Sequence, residues 1–94
     1  MPETLQLLTY EYVEDMLDRR TPHRAAHLEA VERSRAAGEL VIGGAAGDPP
    51  ATGLLAFRGG PEVAEAFAEA DPYVAAGLVV SRTVRPWTVV TPLP

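Results

Sequence analysis

Cysteine and lysine are both absent from this chain of 94 residues. Without cysteine the protein can form neither a disulfide nor a thiolate nucleophile, a composition that fits the cytoplasm. Without lysine it cannot form a lysine Schiff base with a substrate. Histidine is scarce, since only His23 and His27 occur, so one chain cannot assemble a three-histidine or cysteine-based metal site. We therefore expect no metal site and no cofactor.

Long apolar runs and an excess of basic charge are missing as well. No stretch approaches the roughly 20 apolar residues of a transmembrane helix, and no charged segment followed by an apolar one opens the chain as a secretory signal would. The net charge is 8 − 13 = −5, whereas nucleic-acid binding relies on clustered basic groups. We expect a cytoplasmic protein with no nucleic-acid or membrane partner, folded as one domain over residues 1–94.

Turn residues and apolar spacing divide the chain into six main segments. The first helix is predicted to begin at Thr21-Pro22, with threonine as N-cap and proline at the first helical position, and to end at Gly38. Pro86 lies inside the last strand, and because proline cannot donate to a β-ladder, this strand is expected at an edge. The predicted strands are Leu5–Tyr12, Glu39–Gly44, Thr52–Arg58 and Leu78–Val90, and the helices are Thr21–Ala37 and Pro61–Ala70.

This βαββαβ order predicts an α+β ferredoxin-like sandwich, a four-stranded antiparallel sheet with two helices on one face. Right-handed crossovers place the first and third strands in the centre and the last at an edge. The other face would expose apolar residues of the central strands, a patch too large for a soluble monomer. We therefore expect a homodimer that associates through the sheet, which would also stabilise so small a chain.

The second helix is followed by an acid in an unusual place. An apolar stripe at helical spacing leads up to it, formed by Val63, Ala66, Phe67 and Ala70. Pro72 then ends the helix, and Asp71 faces the negative end of its dipole, so the carboxylate needs another role. Two roles are open: Asp71 caps the following turn, Pro72–Gly77, or it is the partner of a histidine.

His27 is the histidine that could meet it. Helical spacing puts His27 on the inward stripe of the first helix together with Leu28 and Val31. It is either a buried, hydrogen-bonded imidazole or a catalytic group at the end of the sheet near Asp71. In the second case the carboxylate would hold the ring tautomer, and the histidine would act as a general acid or base.

Two further residues are candidates for contact with a substrate. Arg24, one turn before His27, could bind a substrate carboxylate or form an ordinary surface ion pair. Tyr73 could donate a hydrogen bond into the cleft or pack with its hydroxyl at the rim. For both residues the functional and the structural interpretation remain open.

The chain resembles the YciI-like (YCII-related) family. The resemblance is carried by Arg24-x-x-His27-Leu28, by Asp71-Pro72-Tyr73 with Gly77 four residues later, and by Arg85-Pro86-Trp87. It extends from the first strand to Trp87. It implies a ferredoxin-like domain that dimerises through its sheet, as in the dimeric α/β-barrel superfamily. It also implies a histidine–aspartate active site, which here falls on His27 and Asp71, but it supplies no substrate.

The leading hypothesis is a cytoplasmic, homodimeric, cofactor-independent enzyme that acts on a small organic molecule. In it His27, oriented by Asp71, would support an isomerisation, an elimination or a hydrolysis. The alternative is a non-catalytic ligand-binding or accessory module of the same fold. A third, purely structural interpretation is that His27 and Asp71 only satisfy each other at a helix end.

Overall fold

The computed structural model describes residues 3–94 of the chain. Four strands and two long helices alternate along it, and short helical turns precede the first long helix and follow the second. The elements are β1 (Glu3–Tyr12), α1 (Met16–Arg19), a 3₁₀ turn (Thr21–His23), α2 (Arg24–Ala36), β2 (Leu40–Ala46), β3 (Thr52–Phe57), α3 (Pro61–Ala70), α4 (Pro72–Ala75) and β4 (Val79–Val89).

The strands form one antiparallel sheet in the order β2-β3-β1-β4. The first and third strands are central, and β4 lies at an edge, as predicted. Pro86 pairs with Gln6 of β1 in this edge strand, whose other side is free of ladder bonds. With α2 and α3 both packed on one face, the fold is the predicted ferredoxin-like α+β sandwich.

The main core lies between the sheet and the two long helices. Leu8 and Tyr10 of β1 alternate onto this face and are completely buried. Helix α3 presents Ala64 and Ala68, both fully buried, so its backbone approaches the strands closely. The remaining members of the cluster are Leu40, Leu55 and Phe57, with Val31, Val63 and Phe67 packed at its border.

The apolar stripes differ from the prediction in both helices. In α3 the buried residues are Ala64 and Ala68, one position away from the predicted stripe, whereas Ala66 and Ala70 are exposed. The smallest side chains face the sheet here because they permit the closest helix–sheet contact, and larger residues flank them. In α2 the side chain of Leu28 is 45% exposed, so its predicted place in the core is wrong.

The predicted start of the first helix is also wrong by one turn. Thr21 does not cap it: its hydroxyl donates to the carbonyl oxygen of Leu17 at 3.4 Å, and residues 21–23 form a 3₁₀ turn. Helix α2 therefore begins at Arg24. Its end agrees with the prediction, since Gly38 has a φ of 79°, a left-handed conformation that glycine adopts at least cost.

The face of the sheet without helices is partly covered and partly open. Leu5, Ala56 and Val89 are buried there, and Leu93 from the C-terminal segment packs against them. The open part is a shallow groove of ≈ 440 Å³ whose apolar walls include Leu7, Ile42, Leu54 and Trp87. Within residues 3–94, no helix is long and apolar enough to cross a membrane.

The assigned core predicts that substitutions of a buried and an exposed leucine differ clearly in their effect on the free energy of unfolding. Changing Leu8, which is completely buried, to alanine should lower the free energy of unfolding by about 2–5 kcal/mol. The matched change Leu17→Ala, at a side chain that is 46% exposed, should cost less than about 1 kcal/mol. Urea unfolding followed by circular dichroism measures both, and equal losses would contradict the assigned core.

Candidate active site

The structure brings His27 and Asp71 into contact. Helix α2 carries the imidazole, and the carboxylate stands at the junction of α3 and α4. Nδ1 of His27 lies 2.8 Å from Oδ1 of Asp71. The histidine is 6% exposed and the aspartate 0%, so the contact is shielded from water. The predicted proximity is therefore present.

Asp71 both caps the following helical turn and contacts a histidine, so the two alternatives considered for it occur together. Its Oδ1 accepts from the backbone N–H of Tyr73 at 3.0 Å, which caps α4, and also faces the imidazole of His27. Its Oδ2 accepts from the hydroxyl of Tyr10 at 2.8 Å. Three donors thus surround a fully buried carboxylate, which is how proteins offset the cost of burying such a charge.

Tyr10 was missed by the sequence reasoning. A signal for it exists, because Tyr10 lies on the inward face of a central strand and a buried phenol needs a hydrogen-bond partner. Burial and the adjacent charge of Asp71 raise the pKa of the Tyr10 hydroxyl far above its usual value. The hydroxyl therefore stays protonated and remains a donor to the carboxylate.

The hydrogen bonds also assign the imidazole tautomer of His27. Because Oδ1 of Asp71 is an acceptor, Nδ1 of His27 carries the proton, and in the neutral ring Nε2 has a free lone pair. Nε2 has no hydrogen-bond partner in the described chain. Every fully buried side-chain nitrogen or oxygen among residues 3–94 has a partner, so Nε2 must be reachable from outside.

Tyr73 supports the site from behind. Its ring stacks on the imidazole of His27, with ring centres 3.8 Å apart and planes 4° from parallel. Its hydroxyl accepts a hydrogen bond from Nη1 of Arg24 at 3.0 Å. Tyr73 is buried and does not line the neighbouring cavity. Its contacts are with His27 and Arg24, and its predicted contact with a substrate stays a prediction.

A cavity of ≈ 160 Å³ adjoins the histidine, between α2 and the strands β2 and β3. Arg24, His27 and Leu28 line it from the helix, as does Val31 one turn further on. On the sheet side the wall is Gly43–Ala45 with Leu55, and a Cβ added at Gly44 would meet nothing within 4 Å. The small residues of β2 thus leave the cavity open beside the imidazole.

The structure adds Arg20 and Tyr12 to this cavity, and sequence reasoning had selected neither. The Tyr12 ring passes over Gly53, where any Cβ would collide with its hydroxyl. Burial, and then the proximity of Tyr73 and Asp71, raise the pKa of Tyr12 to about 12, although the positive charges of Arg24 and Arg20 act against this. Tyr12 is therefore a neutral phenol at the cavity wall.

No group of three or more histidine, aspartate or glutamate side chains converges as a metal site would require, within residues 3–94. The chemistry that these residues support is proton transfer. A histidine that lines a cavity, with one ring nitrogen fixed by a carboxylate and the other without a partner in residues 3–94, can accept or donate a proton there.

Comparison with known proteins gives a family and relatives. A family model described as the YCII-related domain matches residues 4–88. Two relatives, both called Protein YciI, come from Escherichia coli O6:H1 and Shigella flexneri. Each is 35% identical to this chain over 83 residues, an alignment that covers 78% of this chain and 85% of the relative.

Two solved structures have similar folds. One is the 5-chloro-2-hydroxyhydroquinone dehydrochlorinase TftG from Burkholderia phenoliruptrix AC1100, in complex with 2,5-dihydroxybenzoquinone. It has a TM-score of 0.69 and 26% identity, with 88% of this chain and 92% of that chain covered. The other, from Nitrosomonas europaea, is proposed to be an antibiotic biosynthesis monooxygenase. Its TM-score is 0.52 at 12% identity, with 97% and 93% covered, which supports the fold alone.

The hydrogen bond from Tyr10 to the buried carboxylate of Asp71 predicts that two tyrosine substitutions differ in their effect on stability. Tyr10→Phe removes a donor to Asp71 and should lower the free energy of unfolding by about 1–3 kcal/mol. The control is Tyr12→Phe, because the Tyr12 hydroxyl has no hydrogen-bond partner in the described residues; it should cost less than about 0.5 kcal/mol. Chemical denaturation measures both, and a harmless Tyr10→Phe would refute the role given to this hydroxyl.

Proposed function

The chain belongs to the YCII-related family, and on that premise we propose that it is a cofactor-independent enzyme acting on a small organic molecule. His27 and Asp71 form its acid–base pair. The observation that supports this most directly is the 2.8 Å contact between Nδ1 and the buried carboxylate, since it leaves Nε2 free beside a cavity. We propose a cytoplasmic location, which the lack of cysteine supports.

In the proposed reaction Nε2 of His27 takes a proton from a carbon or a ring hydroxyl of the bound molecule. The imidazole becomes a cation, and the adjacent Asp71 carboxylate stabilises that charge. The electron pair of the broken bond then forms a new double bond, C=C after loss of a carbon-bound proton or C=O after loss of a hydroxyl proton. If a proton returns at another atom, the reaction is an isomerisation. If a leaving group departs instead, it is an elimination; for a hydroxylated chloroarene the leaving chloride departs from the saturated carbon of its keto tautomer, as the double bond shifts and a quinone forms.

An elimination is the reaction type that we favour among those considered. The similar structure TftG is named as a dehydrochlorinase, an enzyme that removes hydrogen chloride, and it is 26% identical to this chain over most of both chains. Its ligand is a single substituted ring. The cavity beside His27 is of suitable size, since ≈ 160 Å³ is close to the roughly 150 Å³ of a cavity that holds benzene.

Arg24 and Tyr73 have different parts in this proposal. Arg24 lines the cavity and is the candidate for direct contact with the substrate. Tyr73 acts on the substrate through other side chains, because its ring packs against His27 and its hydroxyl accepts from Arg24. The buried tyrosine thus holds the general base and the substrate-binding arginine in a common arrangement.

The catalytic role is tested by replacing the two histidines one at a time. With 5-chloro-2-hydroxyhydroquinone as the first substrate, chloride release measures elimination. His27→Ala should reduce the rate about 10²–10⁴-fold, because the base is lost. His23→Ala is the matched control and should leave the rate within about twofold, because His23 does not line the cavity.

Binding of 2,5-dihydroxybenzoquinone, followed by NMR, separates the enzyme from the non-catalytic module. An enzyme should lose turnover in His27→Ala while retaining most of its affinity for this ring. Ligand binding without any chloride release from the unmodified protein, or equal rates in His27→Ala and the unmodified protein, would argue against the proposed catalysis and favour the binding module.

We also propose that two copies associate through the open face of the sheet. Ile42, Leu54 and Trp87 are partly exposed there around the apolar groove, and a second copy would remove them from water. The family resemblance favours the same arrangement. Because the groove and the cavity share Gly43, Gly44 and Ala45 as walls, this association would lie directly behind the proposed active site.

If two copies associate through the groove, a charge introduced there should reduce the mass of the protein in solution from that of a dimer to that of a single chain. Light scattering after size exclusion should give roughly twice the chain mass of 10.0 kDa for the unmodified protein. Leu54→Asp should give the single-chain mass, since it would bury an unpaired carboxylate in the interface. Leu17→Asp, at an exposed position of α1 outside the sheet, is the control and should remain dimeric. An unmodified protein of single-chain mass would rule the dimer out.

A further inference from the structure

Two arginines beside His27 are partly buried without an acidic partner, whereas the other arginines without a salt bridge among residues 3–94, Arg19, Arg33 and Arg85, are exposed to water. Arg20 and Arg24 both line the cavity and are partly buried, yet neither forms a salt bridge with any residue from 3 to 94. Three arginines elsewhere are paired: Arg35 with Glu32, Arg58 with Glu3 and Arg82 with Glu65. Neither guanidinium at the cavity is therefore neutralised by a direct ion pair with a residue from 3 to 94.

The hydrogen-bonding capacity of these two side chains is also largely unused. Within the described residues, the guanidinium of Arg20 donates no hydrogen bond, and that of Arg24 donates one, to the hydroxyl oxygen of Tyr73. A guanidinium carries five N–H donors in a planar fork that matches a carboxylate or a similar oxyanion. Such donors in a partly enclosed site favour an anionic ligand.

The acids near the cavity do not cancel this charge. No aspartate or glutamate lines it. Asp71 lies behind His27, where its two oxygens are already engaged by three donors. With a neutral imidazole, Arg20, Arg24 and Asp71 together leave a net charge of about +1 around the cavity, and protonation of His27 raises it further.

The rest of the cavity wall is apolar. Arg24 stands in the first turn of α2, whereas Leu28 and Val31 follow on the next two turns. At a rise of about 1.5 Å per residue, Val31 lies roughly 10 Å further along the helix axis than Arg24. Leu55 of β3 lies on the opposite wall. The cavity therefore has a basic end and an apolar end.

We propose that this cavity binds a small cyclic organic anion, with its charged group on Arg20 and Arg24 and its ring against Leu28, Val31 and Leu55. This assigns a substrate class to the proposed function and rests on it for the part played by His27. Tyr12, a neutral phenol at the same wall, adds a donor to the anion. Binding itself needs the arginines and does not need the histidine to react.

The test compares three probes of defined charge and shape by NMR titration of the whole protein. Benzoate has a ring and a carboxylate, benzamide is nearly isosteric but neutral, and inorganic phosphate has charge without a ring. Benzoate should bind about tenfold more tightly than either of the others, because only it uses both ends of the cavity. If benzamide binds as tightly as benzoate, the site does not require a negative charge and the proposal is wrong on that point. If phosphate binds as tightly as benzoate, the site does not require a ring.

Substitutions assign the effect to the arginine. Arg20→Gln should weaken the binding of benzoate about tenfold and leave the binding of benzamide unchanged, whereas Arg20→Lys should recover part of the affinity for benzoate. Arg19→Gln is the matched control: it removes the same charge from the exposed neighbouring residue, which does not line the cavity, and should change benzoate affinity less than about twofold. Similar losses in Arg19→Gln and Arg20→Gln would overturn the proposal, since they would indicate net charge alone.

The outcome for this site is separable from the outcome for catalysis. If Arg20→Gln leaves benzoate affinity unchanged while His27→Ala abolishes chloride release, the anion site is wrong and the enzyme stands. If Arg20→Gln weakens benzoate while His27→Ala has no effect on any turnover, the anion site stands and the catalytic role of His27 is wrong.

Discussion

The buried carboxylate of Asp71 is the group on which the site depends. Its three donors come from three separate parts of the chain: Tyr10 in β1, His27 in α2 and the backbone of Tyr73 at the start of α4. A carboxylate with 0% exposure is costly unless such donors surround it. The same hydrogen bonds that make this burial possible therefore hold the imidazole in one tautomer and one orientation.

This arrangement joins the stability of the fold to its proposed chemistry. Asp71 is at once the N-cap of α4 and the partner of His27, so the local backbone and the site cannot be changed independently. Tyr73 extends the coupling, since its ring stacks on the imidazole and its hydroxyl holds Arg24. If His27 is the base that we propose, a side chain held in this way needs little rearrangement when a ligand enters, which is how positioning contributes to catalysis.

The fold was largely predictable from local signals. Proline and glycine mark the element ends, and Pro86 correctly identified an edge strand because its missing N–H forbids a central one. The errors concern the start of the first long helix, where a 3₁₀ turn replaces the predicted cap, and side chains whose placement depends on distance from the sheet. Ala64 and Ala68 face the core instead of the predicted stripe because small residues allow close packing, and Leu28 borders a cavity that spacing along a helix cannot reveal.

The sequence by itself determined the order of strands and helices, the family resemblance and the two motifs that carry His27 and Asp71. Turn residues and apolar spacing act over a few neighbouring positions, so they can be recognised from the sequence alone. Only the tertiary structure decided that Tyr10, Arg20 and Tyr12 belong with them. These residues meet the site through strand pairing and helix packing across long separations, and no local pattern records which side chains such packing brings together.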